Sequence, residues 1–412
     1  MRILYLHQYF ATPKSNAGTR SYEMAKRLVS QGHKVTFITS SACLTDIYPL
    51  SSGWNRLNIE GIELHVLHLP YSNNDSYIKR IFKFLHFSLR AIPKSFRINS
   101  DVVFATSTPL TIAIPGIIYS KVKKVPMVFE VRDLWPELPV AIGAIKNPVL
   151  IWFAKKMERL AYKSSTRLIG LSPGMCEGIE KQGILKENIT LATNSCDTAL
   201  FHVDENIGIT YKNQILPFLG DRKLIVYTGT FGPINDVSYI VHLAKAALNK
   251  LSDVCFVAIG SGMQKKAVID LAKAQGVLDN NLFILEPVPK TEIVKLLSAA
   301  DLSLSLFGPV EEMWYNSANK LFDALASGTP IVINYGGWQK DIIEKYKCGL
   351  NLYDKSLDEA VGEIDYLLSD NERYSRAKSS CIDLAYNHYS RDIMADRLEK
   401  TLLEAVNDKE VI

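Results

Sequence analysis

The chain has 412 residues, of which 47% are hydrophobic and 22% charged, with 47 basic and 43 acidic side chains. That composition excludes a disordered chain, and the length suggests two domains. The net charge of +4 argues against a dedicated nucleic-acid binder. Cys43, Cys176, Cys196, Cys255, Cys348 and Cys381 form no CxxC pair and make no metal-spaced set with the eight histidines. A disulfide scaffold or structural zinc site is therefore not expected, and a reducing cytoplasm fits best. The opening Met1–Phe10 is too short and interrupted for a signal-peptide core. Apolar runs such as Ile112–Tyr119 reach about half of the roughly 20 residues a spanning helix needs.

Taken in chain order, short β-branched runs alternate with helical spacing. A strand over 2–6, a helix over 21–30 and a strand over 34–39 open a βαβ unit. Strands follow at 63–69, 102–105, 127–131 and 168–171. A helix over about 148–163 carries apolar residues at 150, 153, 154, 157, 160 and 161. The pattern restarts beyond residue 205, with strands at 223–228, 254–259, 282–285, 302–306 and 331–334. Helices are expected near 237–250, 263–275, 290–299 and 318–327. Two doubly wound α/β domains joined near 195–210 account for this, with ligands expected beyond the strand carboxyl ends and in a cleft between the halves.

Six segments stand out. Asn16-Ala17-Gly18-Thr19-Arg20 lies between the first strand and helix, where Gly18 suits either a tight turn or a close ligand approach. Tyr227-Thr228-Gly229-Thr230-Phe231-Gly232-Pro233 and Ile259-Gly260-Ser261-Gly262 follow two strands of the second half. Each alone reads as turn chemistry, but together they suit a phosphate on backbone N–H groups. In 316–330, Asn316 or Ser317 can cap a helix that Gly328 and Pro330 stop. Lys320 then sits in the first turn, where a cation opposes the helix dipole unless an anion is bound. Asp323 lies three positions on, suited either to ribose hydroxyls or to an ordinary i,i+3 ion pair with Lys320. Val131-Arg132-Asp133-Leu134-Trp135-Pro136-Glu137 follows the fifth strand and reads as a catalytic or acceptor-contacting loop, or as a salt-bridged connector. Finally, 77–97 holds six basic residues and no acid. Lys79, Arg80, Lys83 and Arg90 share a helix face, opposite Ile78, Ile81, Phe82, Leu85, Leu89 and Ile92. Such a helix either meets an anionic membrane or packs its apolar face on its own domain.

These pieces occur in a known order. The chain resembles the family 4 glycosyltransferases. The resemblance rests on the Gly18 loop, Gly32-His33-Lys34-Val35, Met157-Glu158-Arg159-Leu160 before Leu171-Ser172, and Asn194-Ser195-Cys196-Asp197 with Phe201. Ile259–Gly262, Ala299-Ala300-Asp301 and 323–330 complete it. The wording of 132–137 and 316–328 is similar to a subgroup building bacterial O-antigens and capsules, including transferases of N-acetyl-L-fucosamine.

The resemblance implies a GT-B fold of two Rossmann-like domains, 1–200 and 205–385, with a helix at 390–412 crossing back to the first. It implies retaining transfer from a nucleotide sugar, usually without a metal. The leading reading is a UDP-sugar donor, a lipid-linked saccharide acceptor, no nucleic acid, and, through the basic segment 77–97 on an anionic surface, a peripheral place at the inner face of the cytoplasmic membrane. Donor contacts would come from Gly18, Gly229, Thr230, Gly232, Gly260, Gly262, Pro287, Val288, Asn319, Lys320, Leu321 and Asp323. Arg132, Asp133 and Lys320 would be catalytic, with Asp133 or Glu137 orienting the acceptor hydroxyl.

The sequence departs from the family at several places. Tyr315 stands where the first of two spaced acids is usual, Asp323 replaces the second, a glutamate, and Thr230 and Asn235 stand where an Arg and a Lys grip the diphosphate. Arg132 replaces a histidine. Lys320 and Arg132 would then supply the missing charge. A catalytically silent nucleotide-sugar-binding partner and a non-hydrolysing nucleotide-sugar 2-epimerase remain the alternatives.

Overall fold

The computed structural model describes residues 1–15, 17–71, 75 and 77–410. Asn16 of the first loop lies outside the described residues. The chain divides into two compact units, Met1–Thr193 with the chain from Arg391 onward, and Asn194–Ser390. The junction falls earlier than the expected 195–210, because Asn194 is bonded to Ser317 and Cys196 pairs with Ser390, both inside the second unit.

Unit 1 carries an eight-stranded sheet in the order β3-β4-β2-β1-β5-β6-β7-β8. The strands are β1 Arg2–Leu6, β2 Lys34–Ser40, β3 Trp54–Ile59, β4 Ile62–Leu67, β5 Val102–Thr106, β6 Met127–Val131, β7 Arg167–Gly170 and β8 Ile189–Leu191. All pairs are parallel except β3·β4. The hairpin strand β3 was not legible as a strand, so the loop at 132–137 follows the sixth strand rather than the fifth. β1 and β5 are buried along nearly their whole length, as expected of a parallel sheet covered on both faces.

The helix Arg391–Glu410 belongs to this unit. It packs on the helix Arg20–Ser30 and on β5–β8. Arg27 lies 2.6 Å from Asp392, Arg391 2.8 Å from Glu23 and Arg167 2.8 Å from Asp408.

Unit 2 holds a six-stranded, wholly parallel sheet in the order β11-β10-β9-β12-β13-β14. Its strands are β9 Lys223–Thr228, β10 Val254–Ile259, β11 Leu282–Leu285, β12 Leu302–Ser305, β13 Ile331–Ile333 and β14 Gly349–Asn351. Ile225, Tyr227, Phe256, Leu302 and Leu304 are buried at its centre against the helices Ser238–Ala247 and Leu357–Ser369. The strand order reverses between β1 and β5 in unit 1 and between β9 and β12 in unit 2. These are the places where doubly wound sheets open a crevice for ligands.

Two helices bury a side other than their stripe of large apolar residues, which for 77–95 goes against the reading that this stripe packs on its own domain. In Tyr77–Ser95 the buried side is Phe87, Ser88, Ala91 and Ser95, while Ile78, Phe82, Leu85 and Leu89 are exposed. In Pro148–Lys163 the buried residues are Glu158, Ala161 and Tyr162, while Leu150, Phe153 and Leu160 face outward. Phe87 with small and hydrogen-bonded residues on the first helix, and Ala161 with the bonded Glu158–Tyr162 pair on the second, occupy the buried side in place of the apolar stripe. Ser88 Oγ donates to Thr111 O at 2.9 Å, and Tyr162 hydroxyl donates to Glu158 Oε1 at 2.8 Å.

Candidate active site

In unit 2 the site is assembled around the β9/β12 switch point. The helix Asn319–Ser327 has Ala318 at its N-cap, with no side-chain cap. The expected cap residues are engaged elsewhere. Ser317 Oγ accepts from Asn194 N at 2.9 Å, and Asn316 O accepts from Trp338 Nε1 at 3.0 Å and Gln339 Nε2 at 2.7 Å. Gln339 also accepts from the Tyr335 hydroxyl, which meets Ser305 Oγ at 2.9 Å. This buried network anchors the segment leading from β12 into the helix. Among the described residues, no acceptor pairs with the N–H groups of Asn319 and Lys320, leaving the positive end of the helix dipole open.

Lys320 is the unusual residue. Its ammonium makes no hydrogen bond or ion pair among the described residues, and it sits 5.3 Å from the centre of the Tyr227 ring. Burial pushes its pKa down to about 8, with Asp323 acting in the opposite direction. The residue keeps partial exposure, so the ammonium is enclosed by protein yet reachable. The i,i+3 pair with Asp323 is not formed. Asp323 Oδ1 instead accepts from Lys290 Nζ at 3.0 Å, and Lys290 also lies 5.2 Å from the Phe201 ring centre.

Gly229 makes room for this lysine. It has φ +145°, and a Cβ there would come 2.7 Å from Lys320 Cε. The two glycine loops interlock. A Cβ on Gly260 would come 1.8 Å from Gly229 O, Gly229 N donates to Ile259 O at 2.9 Å, and Phe231 N donates to Ser261 O at 2.8 Å. The N–H of Gly229 is thus consumed by the fold and cannot serve a phosphate as expected. Those of Thr230, Gly232, Ser261 and Gly262 have no protein acceptor among the described residues. Leu321 is a further correction: its side chain is fully buried in the core and its N–H donates to Ala318 O at 3.1 Å. After β11, Pro287 is exposed and Val288 half-buried. Glu286 turns its carboxylate to Lys265 at 2.8 Å.

In unit 1 the loops after β1, β5 and β6 meet. Arg132 N donates to Ser107 Oγ at 3.0 Å, and its guanidinium lies 3.3 Å from His7 Nε2, whose Nδ1 is 2.8 Å from Ser21 Oγ. Burial, then the Arg132 charge, holds His7 well below its usual pKa, so the ring is neutral at pH 7. Thr108 Oγ1 donates to Asp133 Oδ2 at 3.1 Å. Burial raises the Asp133 carboxyl above its usual value, against the opposing effects of Arg132 and Thr108. Gly18 is exposed in the β1–helix loop and shows no partner that assigns it a role.

Further along, Glu137 Oε2 and Glu158 Oε2 are both buried without a hydrogen-bond partner among the described residues. Burial and the neighbouring Glu137 raise Glu158 to about 7. His7 was missed from the sequence. The signal was its place at the carboxyl end of the first strand, where loops of such sheets carry function.

Among the described residues, no group of three or more His, Cys, Asp or Glu side chains is placed to hold a metal ion, and no helix is long and apolar enough to cross a membrane.

Residues 17–195 match the glycosyl transferase 4-like domain, and residues 210–381 match the glycosyl transferases group 1 domain. Among curated proteins, the chain is 23% identical over 309 residues to WcaI of Escherichia coli (strain K12), named as a glycosyl transferase of colanic acid biosynthesis. That match covers 69% of this chain and 72% of WcaI. Among solved structures, Anabaena Alr3699/HepE in complex with UDP and glucose superposes with a TM-score of 0.70 at 14% identity, covering 98% of this chain and 100% of that one. WaaG, a glycosyltransferase involved in lipopolysaccharide biosynthesis, gives 0.68 at 14% identity, covering 97% and 99%. The two doubly wound sheets are accordingly the Rossmann-like domains of a GT-B fold, and the chain belongs to the family 4 glycosyltransferases.

Proposed function

We propose that the protein transfers an amino sugar, with N-acetyl-L-fucosamine as the candidate, from a UDP-sugar to a lipid-linked saccharide, with retention of anomeric configuration. The setting is bacterial surface-polysaccharide synthesis at the inner face of the cytoplasmic membrane. The observation that carries the donor half is the enclosed, unpaired Lys320 ammonium beside an uncapped helix N-terminus. Such a site is costly when empty and favourable around an anion. The names of WcaI and WaaG support a surface-polysaccharide role, and the UDP complexes of HepE support a UDP-linked donor.

In the reaction the bond from the anomeric carbon to the phosphate oxygen breaks, and negative charge grows on the leaving diphosphate. Lys320 and the N–H groups of Asn319, Thr230 and Gly232 would stabilise that charge. Asp323 would release Lys290 and accept from the ribose hydroxyls. The backbone at Pro287 and Val288 would face the base. In unit 1, Arg132 and Asp133 would contact the acceptor, and the raised pKa of Asp133 suits it to take up the acceptor proton.

A thermal-shift screen tests the donor class. UDP and UDP-amino sugars should raise the melting temperature, because a ligand of the native state stabilises it by mass action. GDP- and dTDP-linked sugars should do so less. A panel in which no UDP compound shifts the transition contradicts the reading.

A further inference from the structure

We propose that the helices Tyr77–Ser95 and Pro148–Lys163 together form one face that inserts apolar side chains into an anionic lipid surface. This deepens the peripheral placement above and rests on it. Of the two readings of segment 77–97, it takes the membrane contact and adds a second helix to it.

Both helices pack on the helix Ala113–Lys123 and on the turn Leu110–Ile112, so they flank the same element of unit 1. The first exposes a stripe at helical spacing, with Ile78 80%, Phe82 68% and Leu89 62% accessible, and Leu85 between them. On the second, Trp152 is 50% and Phe153 59% accessible, beside exposed Val149, Leu150 and Leu160. The Trp152 and Phe153 rings meet edge to face at 4.9 Å, and Lys156 Nζ lies 3.9 Å from the Trp152 ring centre. Single exposed apolar residues are ordinary on a soluble protein. Two neighbouring helices that both turn large apolar side chains outward are not.

The occupant follows from charge. Segment 77–97 has six basic residues and no acid. Lys79 and Lys83 close on Asp75 at 2.7 and 2.6 Å, while Arg90 on the helix and Arg97 in the turn after it are exposed. On the second helix Lys155, Lys156, Arg159 and Lys163 are exposed, and its only acid, Glu158, is buried. A second copy docking on the same face would set cation against cation. An anionic bilayer complements both the charge and the apolar stripe, and tryptophan with lysine is the composition that settles at such an interface.

The test uses the full chain and sedimentation with vesicles of phosphatidylglycerol and phosphatidylcholine, against phosphatidylcholine alone. Two double variants, F82D/L89D and W152D/F153D, are compared with wild type. Their folding is checked by melting temperature, and their binding of UDP is measured without vesicles. The wild type should bind the anionic vesicles and retain part of that binding at high salt. Each variant should lose about tenfold or more, the scale of losing one buried large side chain, with folding and UDP binding unchanged.

Wild-type binding of UDP without binding to anionic vesicles would overturn the surface and leave the transferase reading standing. Vesicle binding without UDP binding would support the surface and sink only that reading. Unaltered vesicle binding by W152D/F153D would remove the second helix from the face and overturn the proposal. So would a wild-type dimer that the same substitutions dissolve.

Discussion

Replacing Lys320 by alanine should lower kcat/KM for the UDP-sugar by about 100-fold or more without loss of fold. The magnitude follows from removing a charge-stabilising donor from a protected site, typically about 2.7–4 kcal/mol of transition-state stabilisation. Structural stability should not suffer. The Lys320 ammonium makes no hydrogen bond or ion pair among the described residues, so deleting it breaks none and removes a desolvated charge. Arginine should not rescue activity, since the side chain is confined between the Tyr227 ring and the Gly229 backbone. Steady-state kinetics with a melting curve checks both halves. Normal turnover in Lys320→Ala refutes the role assigned to this residue, whereas a lower melting temperature would make it a structural cation.

Arg20→Ala should be the most destabilising single change in unit 1, by about 3–5 kcal/mol. The Arg20 guanidinium donates to Glu130 Oε1 through Nε at 3.1 Å and through Nη2 at 2.8 Å. It also reaches Thr193 O at 2.5 Å and Ala192 O at 2.8 Å. Glu130 is fully buried, and its second oxygen accepts from Thr106 at 2.5 Å. Burial alone would raise the Glu130 carboxyl. The Arg20 charge and hydrogen bonds outweigh it and hold the group below its ordinary value. Without Arg20 the carboxylate would stand in the interior uncompensated, next to two orphaned carbonyls.

The linkage has a definite sign. In the wild type, the stabilisation from Glu130 is present above the unfolded carboxyl pKa and is lost as pH falls through the folded one. In the variant the folded pKa rises, so relative stability should improve on acidification. Thermal unfolding should show a fall on the order of 10 °C at neutral pH, narrowing in acid. A variant melting with the wild type would mean that Glu130 is tolerated in the interior without Arg20 and would contradict the role given to the pair.

The β-branched runs were enough to place most strands of both sheets, because central parallel strands are continuous apolar segments bounded by turn residues. β3, β8 and β14 were not legible. β3 is an edge strand whose Arg56 and Asn58 alternate with half-buried neighbours, and β8 and β14 are three residues each. The site was partly legible. Lys320 drew attention because a cation in a first helical turn needs a reason. Its isolation from Asp323 was not legible, since that depends on Lys290 arriving from another helix. Which face of 77–95 and 148–163 is buried was also hidden, because a stripe of large apolar residues normally marks the core side. Here Phe87 and Tyr162, with small and hydrogen-bonded neighbours, occupy that side instead.

The central claim, that a diphosphate rests against the Lys320 ammonium, is tested most directly by calorimetric titration of UDP across the alkaline range. The free-state pKa is about 8, and an adjoining diphosphate must raise it, so binding favours the protonated lysine. Affinity should be level below that value and weaken as pH climbs past it, by up to about tenfold per unit until the bound-state pKa is reached. The terminal phosphate, with its pKa near 6, is already ionised there and adds no slope of its own. Lys320→Ala should bind weakly and show no such decline. Affinity in the wild type that stays constant through this range, or a decline equally steep in the variant, would contradict the account.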